Sequence, residues 1–454
     1  MRDSIFRLYT LLGIKSVRTK NIAKHIGWSM LYKIGSIIAN FMLVPLTISY
    51  LNTENYGVWL TLSSFISWFS FFDIGLGNGL RNKFAEAKAK GDIKSAKGYV
   101  SSAYFTIASI SLGLLVIFIG LNSFIDWTNI FNTDVSLKKE LSILMPVILI
   151  FFCIQLVVKL ITTIYISDQR HSIDGKIQFF TQVGSLFLIW LLTKTNDGSL
   201  LVFGSVFSAL PVLILLLLNF LAFKTTYKNF KPSFSLWKKE YLKDIMGLGF
   251  RFFILQIAAI VLFSTDNFII IQLFGPEEVV PYNIAYKYFS ILTMVFTIVV
   301  TPYWSSFTEA YVKKDFVWIK NSVKNIQKLW LLIPLGLIVM VLIANWFYNF
   351  WVGEKVTVPI GLSIAMALFI AMSTFNAVYV YFINGIGKIK LSLIIAIVSI
   401  IINIPLSIVF GKYLHWGTTG IILATCACLG LTIVLKPIQY KKIINNVANG
   451  IWNQ

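Results

Sequence analysis

Charge is scarce in this chain: Asp, Glu, Lys and Arg make up 13% of its 454 residues, about half the share of an average soluble domain. An ordinary water-facing surface is therefore excluded. Cysteine is also rare. Cys153, Cys426 and Cys428 all fall inside apolar stretches, without His or further Cys at ligand spacing. They predict no disulfide framework and no metal centre, and read as small packing residues. The three histidines, His25, His171 and His415, are widely separated, and no Ser/His/Asp arrangement or Walker motif is present. No cofactor is expected.

Long apolar runs fill the remainder. The chain is 57% hydrophobic with a mean hydropathy of +0.78. Twelve apolar spans lie near 26–51, 57–80, 99–125, 140–165, 177–195, 199–223, 246–273, 283–308, 325–350, 358–385, 389–411 and 416–436. Each is long enough to cross a hydrocarbon core of ~30 Å as a helix. The basic residues between them alternate. Counting those among the four residues at either end of a span with the adjacent connection, thirty Lys and Arg fall at the two ends and every second connection, against five in the intervening connections. That asymmetry places both termini in the cytoplasm. It also accounts for the net charge of +20 by topology and anionic lipid contact, without a nucleic-acid partner.

Residues 1–25 contain no apolar core and cleavage site of signal-peptide type. Ile5, Leu8, Tyr9 and Leu12 recur at helical spacing beside Arg7, Lys15 and Arg18, which fits an amphipathic segment on the inner leaflet or a basic tail. The longest external connection, Asp126 to Lys139, has about 14 residues, too few for a catalytic domain. An enzyme is not expected.

The chain also repeats itself. Phe84-Ala85-Glu86-Ala87-Lys88-Ala89-Lys90-Gly91-Asp92 and Phe307-Thr308-Glu309-Ala310-Tyr311-Val312-Lys313-Lys314-Asp315 agree in Phe, Glu, Ala, Lys and Asp at an offset of 223. The same offset pairs Glu54 with Glu277. A six-plus-six duplication follows, with lobes at 26–223 and 246–436, a basic linker at 224–245 and a cytoplasmic tail at 437–454. Six is even, so the expected pseudo-two-fold axis runs along the membrane normal. The predicted fold class is an all-α integral membrane protein of twelve transmembrane helices in two lobes.

Six charges stay within spans: Lys33, Asp73, Lys159, Arg251, Asp266 and Lys287. Each costs at least ~2.5 kcal/mol at mid-bilayer and requires a reason. Long cationic stems can snorkel to the interface; the two aspartates cannot reach as far. Lys33, Ser36, Asn40 and Thr47 share one face of the first span, and Gln256 accompanies Arg251 and Asp266 in the seventh. Ser63, Ser67 and Ser70 form a polar line in the second span, a pattern that ordinary helix packing also uses. An excess of cations in a central cavity points to an anionic passenger, contacted by Lys33 and Arg251, with Lys159 and Lys287 as further candidates. Asp73 and Asp266 are candidate charge partners or coupling residues.

From Tyr56-Gly57-Val58-Trp59-Leu60 to Phe71-Phe72-Asp73-Ile74-Gly75-Leu76-Gly77-Asn78-Gly79-Leu80-Arg81-Asn82 the chain resembles the Wzx O-antigen flippases. These are polysaccharide transporters of the multidrug/oligosaccharidyl-lipid/polysaccharide exporter superfamily. The resemblance implies a V-shaped, MATE-like transporter in the bacterial inner membrane. It also implies an undecaprenyl-diphosphate-linked oligosaccharide as passenger, moved from the cytoplasmic to the periplasmic leaflet by alternating access. Membrane lipids and other polysaccharide-assembly proteins are the implied partners. Trp28, Tyr32, Trp59 and Trp68 are available for sugar stacking or interface anchoring. Gly75, Gly77 and Gly79 follow a helix rather than a strand, so a nucleotide turn fails its context. Two alternatives remain at this stage: a cation-coupled multidrug exporter of the same fold, and a polytopic polysaccharide polymerase or ligase.

Overall fold

The computed structural model describes residues 17–69, 76–168, 170, 172–195, 198–246, 265–301 and 303–453. Side chains are described from residue 31 onward, apart from 67–69, 78, 82, 89, 298, 305, 308, 309 and 312. Asp73, Arg251, Gln256, the N-terminal amphipathic segment and the side chains of Trp28 and Trp68 lie outside them.

Among the described residues every regular element is a helix. Such a segment satisfies its own backbone in lipid, which is what a long apolar run demands. Helix α1, Val17–Phe69, runs through two of the expected spans with a break in helical geometry at Asn52 (φ 66°). There follow α2 (Leu76–Ala89), α3 (Ile93–Asn122) and the single turn α4 (Trp127–Ile130). Next come α5 (Lys138–Val158), α6 (Leu160–Ser167), α7 (Ser172–Thr195) and α8 (Leu200–Lys224). Later in the chain lie α9 (Asp266–Phe274), α10 (Val279–Val300), α11 (Tyr303–Val312), α12 (Phe316–Trp330) and α13 (Leu332–Val352). The last helices are α14 (Ile360–Gly385), α15 (Lys390–Ile408) and α16 (Gly417–Ile444).

Nine helical segments among the described residues are long and apolar enough to cross a membrane. Their outward faces confirm the setting. Leu112, Val116 and Ile117 on α3 and Leu342 on α13 are all more than 60% exposed. Apolar belts of that kind are matched by hydrocarbon and penalised by water.

The helices gather into two compact units: residues 1–52, 69–127 and 135–253 form one, and residues 53–68, 128–134 and 254–454 form the other. In the first, α5 packs on α3 and α8, and α7 lies against α8. In the second, α16 packs against α14 and α15, and α14 also contacts α10. The segment 53–68 belongs to the second unit through backbone-close packing. A Cβ on Gly57 would sit 1.8 Å from the Pro276 carbonyl oxygen, an approach that only glycine permits.

The repeated sequence is a repeated turn. Helix α2 ends in a left-handed Gly91 (φ 73°) and α11 in a left-handed Lys314 (φ 57°). The amide of Asp92 donates to Ala87 O at 3.0 Å and that of Gly91 to Lys88 O at 3.1 Å. The amides of Asp315 and Lys314 do the same to Ala310 O (2.9 Å) and Tyr311 O (3.0 Å). Both are Schellman closures. Each hands over at once to an N-cap: Asp92 accepts from the Ser95 amide and Asp315 from the Trp318 amide, both at 3.0 Å. Phe84 and Phe307 are fully buried beneath these turns, edge-on to Phe230 and Phe382 respectively. The breaks after the first helix of each half, Asn52 (φ 66°) and Gly275 (φ 93°), are again 223 residues apart.

Candidate functional site

The second unit encloses a polar cavity of about 150 Å³. Asp266, the first residue of α9, is buried within it. Its Oδ2 accepts the Tyr282 hydroxyl proton at 2.5 Å, while its Oδ1 is buried with no hydrogen-bond partner. The amides beside it are held in a relay. Asn267 donates to Ser64 Oγ at 2.9 Å. Asn283 donates to Asn267 Oδ1 and to its own helix at Val279 O, both at 2.8 Å. Tyr282, Asn283 and Tyr286 reach the cavity from one face of α10, with Phe369 of α14 opposite. Thr425 of α16 completes the wall and accepts from the fully buried Asn403 at 3.0 Å.

Among the described residues Asp266 forms no ion pair. A carboxylate buried in this way is expensive unless it is paired or neutralised. The open Oδ1, with amide and hydroxyl oxygens around it, therefore suits either a proton or a small hard cation with oxygen ligands. Among the described residues no group of three His, Cys, Asp or Glu is arranged to hold a metal, so a transition-metal centre does not match the donor set.

The 223-residue correspondence does not extend to this cavity. The positions 223 residues before Asp266, Asn267 and Asn283 are Leu43, Val44 and Leu60, all buried apolar side chains.

The other predicted residues are dispersed. Lys33 is half-buried on α1; Ser36 and Thr47 are buried and Asn40 is half-exposed. Thr47 returns its hydroxyl to Leu43 O at 2.6 Å. Lys159 is exposed at the break between α5 and α6. Lys287, one position beyond Tyr286, donates to the Tyr56 hydroxyl at 3.3 Å. Among the described residues none of these three lysines forms an ion pair. Tyr32 stands edge-on to Phe179, 5.6 Å between centroids, and Trp59 is buried. Ser63 and Ser64 both donate back to Leu60 O, and the Ser64 oxygen also accepts from Asn267 at the cavity wall. The amides Asn267, Asn283 and Asn403 were not foreseen. Their signal was in the sequence as Asn within apolar spans, where an amide without a partner is costly.

This arrangement of helices is that of known transporters. The fold matches an inward-facing structure of a multidrug resistance MATE family transporter of the MOP superfamily at TM-score 0.70 and 16% identity, covering 93% of this chain and 96% of that one. An outward-facing structure of such a transporter matches at TM-score 0.65 and 15% identity, with the same coverage of 93% and 96%. The fold thus defines a multi-pass helical membrane protein with the MATE architecture.

A family model described as polysaccharide biosynthesis protein matches residues 22–308, and the chain belongs to that family. It is 22% identical over 429 residues to a Yersinia pseudotuberculosis protein described as an O-antigen export protein, covering 91% of this chain and 94% of that one. A Salmonella typhi protein described as an O-antigen transporter is 21% identical over 431 residues, covering 92% and 96%.

Proposed function

We propose that this protein is a flippase for undecaprenyl-diphosphate-linked oligosaccharides, the repeat units of O-antigen or another surface polysaccharide. It moves them from the cytoplasmic to the periplasmic leaflet of the bacterial inner membrane by alternating access, with both termini cytoplasmic. The observation that carries this reading is membership of the polysaccharide biosynthesis family over residues 22–308. The two relatives described as O-antigen exporters, matched almost end to end, support it. It is a transport reading and requires no catalytic residue.

Within it, Lys33 and Arg251 contact the diphosphate, Lys159 and Lys287 assist, and the Asp266 cavity binds the coupling proton or sodium ion. A carboxyl group with one open oxygen offers a place where a cation binds in one state of the cycle and leaves in another. The same carboxyl favours a second reading, a cation-coupled drug exporter of this fold. Deletion of the gene separates the two. The flippase reading expects lipid-linked glycan to accumulate in the inner leaflet and surface polysaccharide to disappear. Unchanged surface glycan together with increased drug sensitivity would select the exporter.

A further inference from the structure

Helix α7 has two unlike faces. Thr181, Gln182 and Ser185 turn buried polar atoms inward. On the opposite side Lys176, Val183, Phe187, Trp190 and Lys194 fall within about 60° of one another at 100° per residue. Val183, Phe187 and Trp190 of this second face, with Met42, Pro45 and Ser49 of α1, wall an apolar trough of about 600 Å³ within the first unit. Phe187 and Trp190 stack along it, 6.2 Å between centroids. Met42 and Phe187 are 54% and 57% exposed, so the trough is open along its length.

Beyond the trough on either side, the same face of α7 carries a lysine. Lys176 stands over the Tyr32 ring, 5.8 Å from the centroid, and Lys194 is exposed in the last turn of α7. Eighteen residues separate these lysines; five full helical turns put them on the same side, about 27 Å apart, close to the ~30 Å hydrocarbon thickness.

We infer that the trough between α1 and α7 holds the isoprenoid tail of the passenger, with Lys176 and Lys194 meeting its anionic diphosphate at the two leaflet levels. This rests on the flippase reading. A phospholipid remaining in one leaflet would use one of the two lysines. A lipid whose head changes leaflet while its tail stays engaged uses both. The opposite face of α1, which carries Lys33, Ser36, Asn40 and Thr47, takes the diphosphate between those two levels, and the sugars.

The test uses the full-length protein with the photoreactive p-benzoylphenylalanine in place of Phe187, in phosphatidylcholine–phosphatidylglycerol vesicles doped with undecaprenyl diphosphate. Ultraviolet cross-linking followed by mass spectrometry should give a polyprenyl adduct, reduced by Ser49→Trp, which fills the trough. In cells, Ser49→Trp and the paired Lys176→Gln, Lys194→Gln variant should each lower glycan export several-fold at unchanged protein level. Adducts of phospholipid alone, or normal export by both variants, would overturn the trough as a tail site while leaving the flippase reading intact. Failure of the unaltered protein to move any lipid-linked glycan would remove that reading and this inference with it.

Discussion

Asp92 and Asp315, 223 residues apart in the chain, accept the same third-residue amide at the same 3.0 Å and follow the same left-handed turn. The helix-to-helix turn is the same at both positions, whereas Asp266, Asn267 and Asn283 have buried apolar residues 223 positions earlier. At Asp92 the Ser95 amide holds the carboxyl below its usual range. A group with a depressed folded-state value stabilises the fold above its unfolded value, ~3.9, and loses that contribution as pH falls through the folded value. Asp92→Asn should therefore remain well folded at pH 7 and show a smaller drop in thermal midpoint below about pH 4. Detergent-solubilised protein followed by thermal scanning from pH 7 to pH 3 measures this. Identical acid profiles for the variant and the unaltered protein would remove the cap from the account.

Gly57 and Gly113 should respond in opposite ways to alanine. At Gly57 a Cβ would collide with the Pro276 backbone, whereas at Gly113 nothing lies within 4 Å. Gly57→Ala is expected to lower the thermal midpoint and export together. Gly113→Ala removes backbone freedom from the middle of α3 and should stabilise by about 0.5–1 kcal/mol. Parallel thermal scans decide it, and equal effects would contradict the close approach.

The frame was legible in the sequence because its signals are local. Apolar run length, Lys/Arg alternation and the Phe/Glu/Ala/Lys/Asp repeat each reflect chemistry within a few residues of itself. The Ala87/Ala310 and Asp92/Asp315 matches, for instance, are positions of a Schellman closure and its following cap. The site was less legible because its partners arrive from several elements. Asp266 stood out by its charge. Its neighbours Asn267 and Asn283 carry none, and their relay depends on Ser64, more than 200 residues earlier. Helical phase singled out Ser63 and missed Ser64 beside it; both bond back to Leu60 O, and Ser64 alone of the two also accepts from Asn267. The connection expected at 52–56 is a kink at which two helices meet, made by the single residue Asn52 at positive φ rather than by a loop.

The cationic contacts have a graded test. Lys33→Gln and Arg251→Gln should each reduce glycan export at normal protein level, since removing one cation leaves a desolvated anion short of a partner. Arg251→Lys should retain more activity if charge outweighs bidentate geometry. Export of surface glycan in a complemented deletion strain is the readout. Normal export by both Gln variants would return these residues to snorkelling.

Asp266→Asn keeps the shape of the side chain and removes its capacity for charge. Export by this variant should fall and should no longer respond to the proton or sodium gradient. Tyr282→Phe, which deletes the hydroxyl bonded to Oδ2, should keep the gradient response with a shifted dependence on pH or sodium. Gradient-dependent export that is unchanged in Asp266→Asn would place coupling elsewhere.

The most direct measurement is translocation itself. The purified protein in proteoliposomes should carry an undecaprenyl-diphosphate oligosaccharide from one leaflet to the other, seen as glycan newly accessible to an impermeant glycosidase. The account expects an imposed gradient to accelerate that movement and Asp266→Asn to abolish the acceleration. Glycan that stays in its original leaflet at the rate of protein-free vesicles, with correctly folded protein present, would contradict the flippase reading.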